Sequence, residues 1–140
     1  MMQTPARILI VDDERQNRQL LEVLLTAEGY LLDTASSAAE ALVLVAQRRP
    51  DLILLDVMMP GMDGYQLVAL LSAHPDTARI PVVMLTALDD RNSRSHGLTA
   101  GAVAFLTKPI DRAALHQTLK ALLGPKPTRP GESSTPGEAS

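Results

Sequence analysis

The chain has 140 residues, 46% of them apolar, enough for one domain with a buried core. A net charge of −3 with no Lys/Arg cluster argues against nucleic-acid binding by this domain, and the lack of cysteine rules out a disulfide framework and thiolate chemistry. The longest unbroken apolar stretch, Ala41 to Ala46, is far shorter than the ~20 residues that span a bilayer, and no signal-peptide pattern opens the chain, so no membrane association and a cytoplasmic location are expected.

The first element is a strand near 7–11, Arg7-Ile8-Leu9-Ile10-Val11, which ends in Asp12-Asp13. Leu20, Leu21, Leu24 and Leu25 then recur at helical spacing. A second strand near 30–34 precedes a helix with Ala38, Ala41, Leu42, Val45 and Ala46 on one face. The third strand, near 51–55, is closed by Asp56, which opens Asp56-Val57-Met58-Met59-Pro60-Gly61-Met62-Asp63-Gly64. Leu67, Leu70 and Leu71 mark a third helix, and the fourth strand, near 80–85, ends in Thr86. Residues about 89–100 predict a marginal helix, because Asn92, Ser93, Ser95, Gly97 and Thr99 together cost ~2–3 kcal/mol relative to an Ala/Leu-rich segment. A fifth strand near 103–106 leads to Lys108-Pro109. The last helix starts at Asp111 and stops at Gly124, with Leu115, Thr118, Leu119, Leu122 and Leu123 at spacings of three and four. Residues 1–123 are therefore expected to form the folded domain, and 124–140, rich in Pro, Gly and Ser, a flexible tail or linker.

This alternation predicts an α/β fold: five βα units in a doubly wound parallel sheet. Such sheets bind ligands outside the carboxyl ends of their strands. Asp12, Asp13, Asp56, Thr86 and Lys108 all fall there. Three carboxylates, a hydroxyl and an amine suit a divalent cation and a phosphoryl group. Taken singly, Asp12 reads better as a helix cap, Thr86 could cap its helix, and Lys108 reads best as a solvated lysine. Their joint placement at four strand ends favours the site. His74, His96 and His116 lack metal-ligand spacing and read as surface or filler residues.

Asp12-Asp13, Asp56 with Met59-Pro60 and Asp63-Gly64, Thr86-Ala87 and Lys108-Pro109 match in type, order and spacing the motifs of response regulator receiver domains, and the chain resembles that family over residues about 6 to 123. The resemblance implies a flavodoxin-like (βα)5 fold with strand order 2-1-3-4-5 and a role in bacterial two-component signalling as a switch, not an enzyme. It implies Mg²⁺, with Mn²⁺ as substitute, held directly by Asp13 and Asp56, mainly through water by Asp12, and by the backbone carbonyl of Met58. Asp56 is then the phospho-acceptor, served by a sensor histidine kinase or phosphotransfer protein. Lys108, the Thr86 hydroxyl and the Ala87 backbone N–H are the groups expected to hold the phosphoryl oxygens. The Lys108-Pro109 peptide is expected to be cis.

Thr86 and Phe105 are the implied switch pair, although Phe105 stands where tyrosine is often found and has no hydroxyl. The implied output face comprises the fourth helix, fifth strand and last helix, residues about 89–123, acting on an unknown output partner or a C-terminal effector domain, with weak homodimerisation through the same face. Met58 and Leu88 flank the implied path of the hydrolytic water and are both apolar, so slow dephosphorylation is expected. The exposed face of the first helix, Arg15 to Gln19, is where the choice of kinase is expected to reside.

Two alternatives compete with a stand-alone receiver. One is a receiver belonging to a larger polypeptide that carries a cyclase, phosphodiesterase or hybrid-kinase unit. The other, weaker, is a Mg²⁺-dependent phosphohydrolase of the haloacid-dehalogenase kind. That pattern requires an aspartate two residues after the nucleophile, where this chain has Met58 after Asp56. No Gly-x-x-x-x-Gly-Lys-Ser/Thr loop is present, which excludes a P-loop nucleotide switch.

Overall fold

Apolar runs of four or five residues set the sheet, and the strands they form run from residue 7 to residue 107. The computed structural model describes residues 5–57, 64–86 and 101–124. In chain order the elements are β1 (Arg7–Val11), α1 (Arg15–Ala27), β2 (Leu31–Ala35), α2 (Ala38–Gln47), β3 (Leu52–Asp56), α3 (Gly64–Ala73), β4 (Val82–Thr86), β5 (Ala104–Thr107) and a last helix, Arg112–Leu123. The expected helix at 89–100, the positions Met58, Met59, Pro60, Asp63, Ala87 and Leu88, His96, and the tail from Pro125 lie outside the described residues.

All four strand pairings are parallel, in the order β2-β1-β3-β4-β5. The fold is the expected flavodoxin-like (βα)5 arrangement. Burial follows position: β3 and β4 are buried throughout, whereas the edge strands β2 and β5 bury one residue each. One core layer joins α2 and α3 to the sheet through Val45, Leu67, Val68 and Leu71, with Leu9, Ile53, Leu55 and Met84 beneath them. The other joins α1 and the last helix to the opposite face through Leu21, Leu25, Leu115 and Leu119. Among the described residues no helix is long and apolar enough to cross a membrane.

Strands two to five begin one or two residues later than the apolar runs suggest, for local reasons. Tyr30 donates its backbone N–H to Leu25 and so belongs to the end of α1. Pro81 has no N–H to give the ladder, and β4 starts at Val82. The later ends bring Asp56 and Thr86 into the ladders as final strand residues. Two leucines that mark the first and third helices by their spacing stay outside the core: Leu20 is 50% exposed and Leu70 is 39% exposed, because each lies at the margin of its helix's buried stripe. His116, read as a surface or filler residue, makes a cross-helix contact. Its side chain is at the surface, 37% exposed, and its Nδ1 lies 2.7 Å from Glu28 Oε1, which ties the last helix to the end of α1.

Asp111 caps the last helix by accepting from the Ala114 N–H at 2.8 Å, and Gly124 ends it at φ 79°. The Lys108-Pro109 peptide is cis.

Gly64 begins α3 where no side chain fits. A Cβ there would lie 2.7 Å from the Asp56 carbonyl oxygen and 3.0 Å from the Val57 Cα, both on the backbone that carries the acidic edge. Gly64→Ala should therefore lower stability by about 1–3 kcal/mol, read as a drop in urea midpoint. Gly29→Ala serves as the comparison, because nothing lies within 4 Å of that Cβ and only its φ of +93° opposes the change. A Gly64→Ala midpoint equal to wild type would contradict the close approach.

Candidate functional site

Register assembles the site. Val11 pairs with Leu55, so the next residues, Asp12 and Asp56, emerge at the same level from neighbouring strands. Asp56 is in turn registered with Leu85, and Thr86 with Thr107, immediately before Lys108. One edge of the sheet thus receives a side chain from each of β1, β3, β4 and β5. Asp12, Asp56 and Thr86 are buried, at 0%, 4% and 1% exposure, whereas Asp13 faces solvent.

Asp12, Asp13 and Asp56 each offer a carboxylate oxygen, and the three oxygens lie within 4.8 Å of one another. At an effective dielectric near 20, two like charges at such a separation repel by roughly 3–4 kcal/mol. Lys108 offsets part of this. Its Nζ donates to Asp56 Oδ1 at 3.0 Å and lies 3.8 Å from Asp12 Oδ2. Burial pushes the ammonium's pKa down, but the hydrogen bond to Asp56 and the charges of Asp56, Asp12 and Glu14 outweigh it and hold the pKa above its ordinary 10.5. The stabilisation that this raised pKa represents is fully present below 10.5. It fades only as pH rises through the higher folded-state value, so Lys108 is a fixed cation at neutral pH.

Asp12 is held through both its backbone and its carboxylate. Its N–H donates to Ala35, its Oδ1 accepts the Glu14 N–H at 2.9 Å, and its carbonyl accepts from Arg18 Nη1 at 2.7 Å. The capping alternative is thus partly realised: Glu14 occupies the N-cap of α1 without a side-chain cap bond, and Asp12 supplies an acceptor to its backbone. Sequence reasoning missed Arg18, a second cation at this loop. An arginine one turn into a helix after an acidic pair was the available signal.

Asp12 Oδ2 and Thr86 Oγ1 are buried with no hydrogen-bond partner among the described residues. The ammonium 3.8 Å from Asp12 Oδ2 is within ion-pair range but too far for a hydrogen bond. Unmatched buried acceptors beside two further carboxylates fit a hard cation with oxygen ligands. A small cleft of about 90 Å³ adjoins the cluster, with Asp12 and Lys108 in its wall and Leu20, Pro109 and Ile110 along it. Phe105, on β5 and half-buried, packs against the α2–α3 core layer. The structure thus brings together Asp12, Asp13, Asp56 and Lys108, with Thr86 at the same edge. Met58 and Ala87 lie outside the described residues.

Comparison with known proteins gives concordant results. Residues 8–120 match the response regulator receiver domain family. Response regulator PleD of Caulobacter vibrioides is 52% identical over 117 residues, covering 84% of this chain and 26% of PleD. The chain thus spans about a quarter of that relative's length. A response regulator from Chloroflexus aurantiacus superposes with a TM-score of 0.84 at 37% identity, covering 87% of this chain and 100% of that one. The receiver domain of sensor histidine kinase PA1611 from Pseudomonas aeruginosa, solved with a magnesium ion coordinated in its active site cleft, superposes with a TM-score of 0.80 at 30% identity, covering 87% and 100%. The chain therefore belongs to the response regulator receiver domain family, whose members act as phosphorylation-dependent switches.

Proposed function

We propose that Asp56 is the phospho-acceptor of a phosphorelay receiver. The observation that carries this reading is the Asp56 carboxylate itself: it is buried at the end of β3, hydrogen-bonded to the Lys108 ammonium at 3.0 Å, and grouped with Asp12 and Asp13. A carboxylate oxygen of Asp56 attacks phosphorus of a phosphohistidine on a sensor histidine kinase or phosphotransfer protein. A P–O bond forms, the P–N bond breaks, and the imidazole leaves with its electron pair and takes up a proton. Lys108, already aimed at Asp56, neutralises a phosphoryl oxygen, and the Thr86 hydroxyl and Ala87 N–H donate to another.

The metal reading follows from the donor set. Asp13 and Asp56 are the direct protein ligands, Asp12 acts mainly through water, and the Met58 carbonyl completes the protein's share. Mg²⁺ is the cation, with Mn²⁺ as substitute, and the ion seen in the similar Pseudomonas receiver supports this choice. When bound, the cation supplies the positive charge that lets an anionic donor approach three carboxylates.

The new aspartyl phosphate carries close to two charges, and Thr86 with Phe105 relays them to a face of residues about 89–123. Moving such a switch from 1:99 to 99:1 takes about 5.5 kcal/mol of differential stabilisation. That face meets the output partner, a second copy or a C-terminal effector domain, the last being compatible with the chain's 26% share of PleD. Residues 1–123 form the receiver and 124–140 the tail or linker.

Incubation with acetyl phosphate and Mg²⁺ should add one phosphoryl group by intact mass, and Asp56→Asn should add none. A variant that still gains the mass would place the acceptor elsewhere. In calorimetric titration, Asp13→Asn should abolish measurable Mg²⁺ binding and Asp12→Asn should weaken it less. Equal affinity in wild type and Asp13→Asn would overturn the ligand assignment.

A further inference from the structure

A surface helix ordinarily buries one stripe and covers the other with charge. Among the described residues, α2 and α3, the two helices that share one core layer, do not. In α2 the single charged residue is Glu40, and in α3 there is none. Glu40 is committed to the start of its helix, where Oε1 accepts from the Ser36 N–H at 2.6 Å. The outward surface is uncharged and largely apolar: Val43 is 55% exposed and Leu70 39%, with Ala39, Ala46, Ala69 and Ala73 exposed beside them and Gln47, Gln66 and Ser72 as its polar members. Between the helices runs an open groove of about 570 Å³, walled by Leu42, Val45 and Ala46 on one side and Leu70 and Leu71 on the other.

The rim of this groove indicates what covers it. Arg49 follows α2 and Asp76 follows α3, so a cation and an anion stand on opposite walls at the same end. Both are exposed, and neither forms an ion pair among the described residues. A rim with both signs on facing walls complements itself. A two-fold axis along the groove lays α2 of one copy over α3 of the other at equal height, and Arg49 then meets Asp76 of the second copy twice.

We propose that the α2–α3 face is a self-association surface and that its occupant is a second copy of this chain. Two ten-residue helices side by side present a footprint of roughly 15 by 20 Å. That is well under the ~800 Å² per partner of a standard interface, so the dimer is of the weak class. The rim lies at the C-terminal ends of the helices, the opposite edge of the sheet from Asp56. Association here is therefore independent of phosphorylation, unlike association through residues 89–123.

Sedimentation equilibrium of the full chain from about 10 μM to 1 mM tests the proposal. Wild type should dimerise, and Val43→Glu should weaken the dimer at least ten-fold by placing a carboxylate on the exposed apolar side of α2. Arg49→Glu and Asp76→Arg, each creating two like-charge contacts, should each weaken it about five- to ten-fold. Combining them should restore the wild-type constant to within about three-fold, a result that a folding defect does not produce. Thermal melts establish that each variant is folded. A wild type that stays monomeric to 1 mM, single charge reversals without effect, or a combined variant weaker than either single one would each overturn the proposal and leave the face to a different occupant or to none.

Discussion

Three carboxylates held within 4.8 Å at one edge of a parallel sheet oppose their own assembly, and the surrounding structure serves to hold them there. The β1–β3 register delivers Asp12 and Asp56 at one level, and central-strand burial keeps both away from the solvent that would screen them. Lys108 enters from β5 and supplies one fixed positive charge, and Arg18 grips the Asp12 carbonyl from α1. The charges still do not balance locally. A site of this kind gains by accepting a cation, and with the cation in place by accepting an anionic group on Asp56.

Much of this was legible in the chain because the fold is regular. Buried parallel strands read as short apolar runs, so the strand ends, and with them Asp12, Asp13, Asp56, Thr86 and Lys108, could be located from residue type alone. Strand order came from family resemblance, since nothing in the apolar runs distinguishes 2-1-3-4-5 from other windings. What escaped depends on tertiary proximity. Arg18 donates to a carbonyl six residues back, which spacing alone does not reveal. His116 and Glu28 are 88 residues apart, and only the packing of the last helix beside α1 joins them. Gly64 looked like a motif glycine, and its reason, the Asp56 carbonyl 2.7 Å from a would-be Cβ, appears only when α3 is docked. Leu20 and Leu70 marked their helices correctly but not their burial, because helical spacing defines a stripe and not its margins.

The two faces of the sheet have different characters. The α1 side carries the cleft beside Asp12 and Lys108, within reach of a group bound at the acidic edge. The α2–α3 side is uncharged along most of its length and carries its rim charges at the far edge. A weak, constitutive contact through α2 and α3, at the edge of the sheet away from Asp56, would raise the local concentration of the receiver without being altered by chemistry at the acidic edge.

The central claim is that the acidic edge is electrostatically strained until a cation joins it. Urea midpoints of wild type and Asp13→Asn, measured with chelator and again with saturating Mg²⁺, test it most directly. Without metal the substitution removes a repelling charge, and the variant should be the more stable of the two; with Mg²⁺ it lacks a ligand, and wild type should become the more stable. A wild type that is more stable under both conditions, or an order that Mg²⁺ does not reverse, would contradict the account.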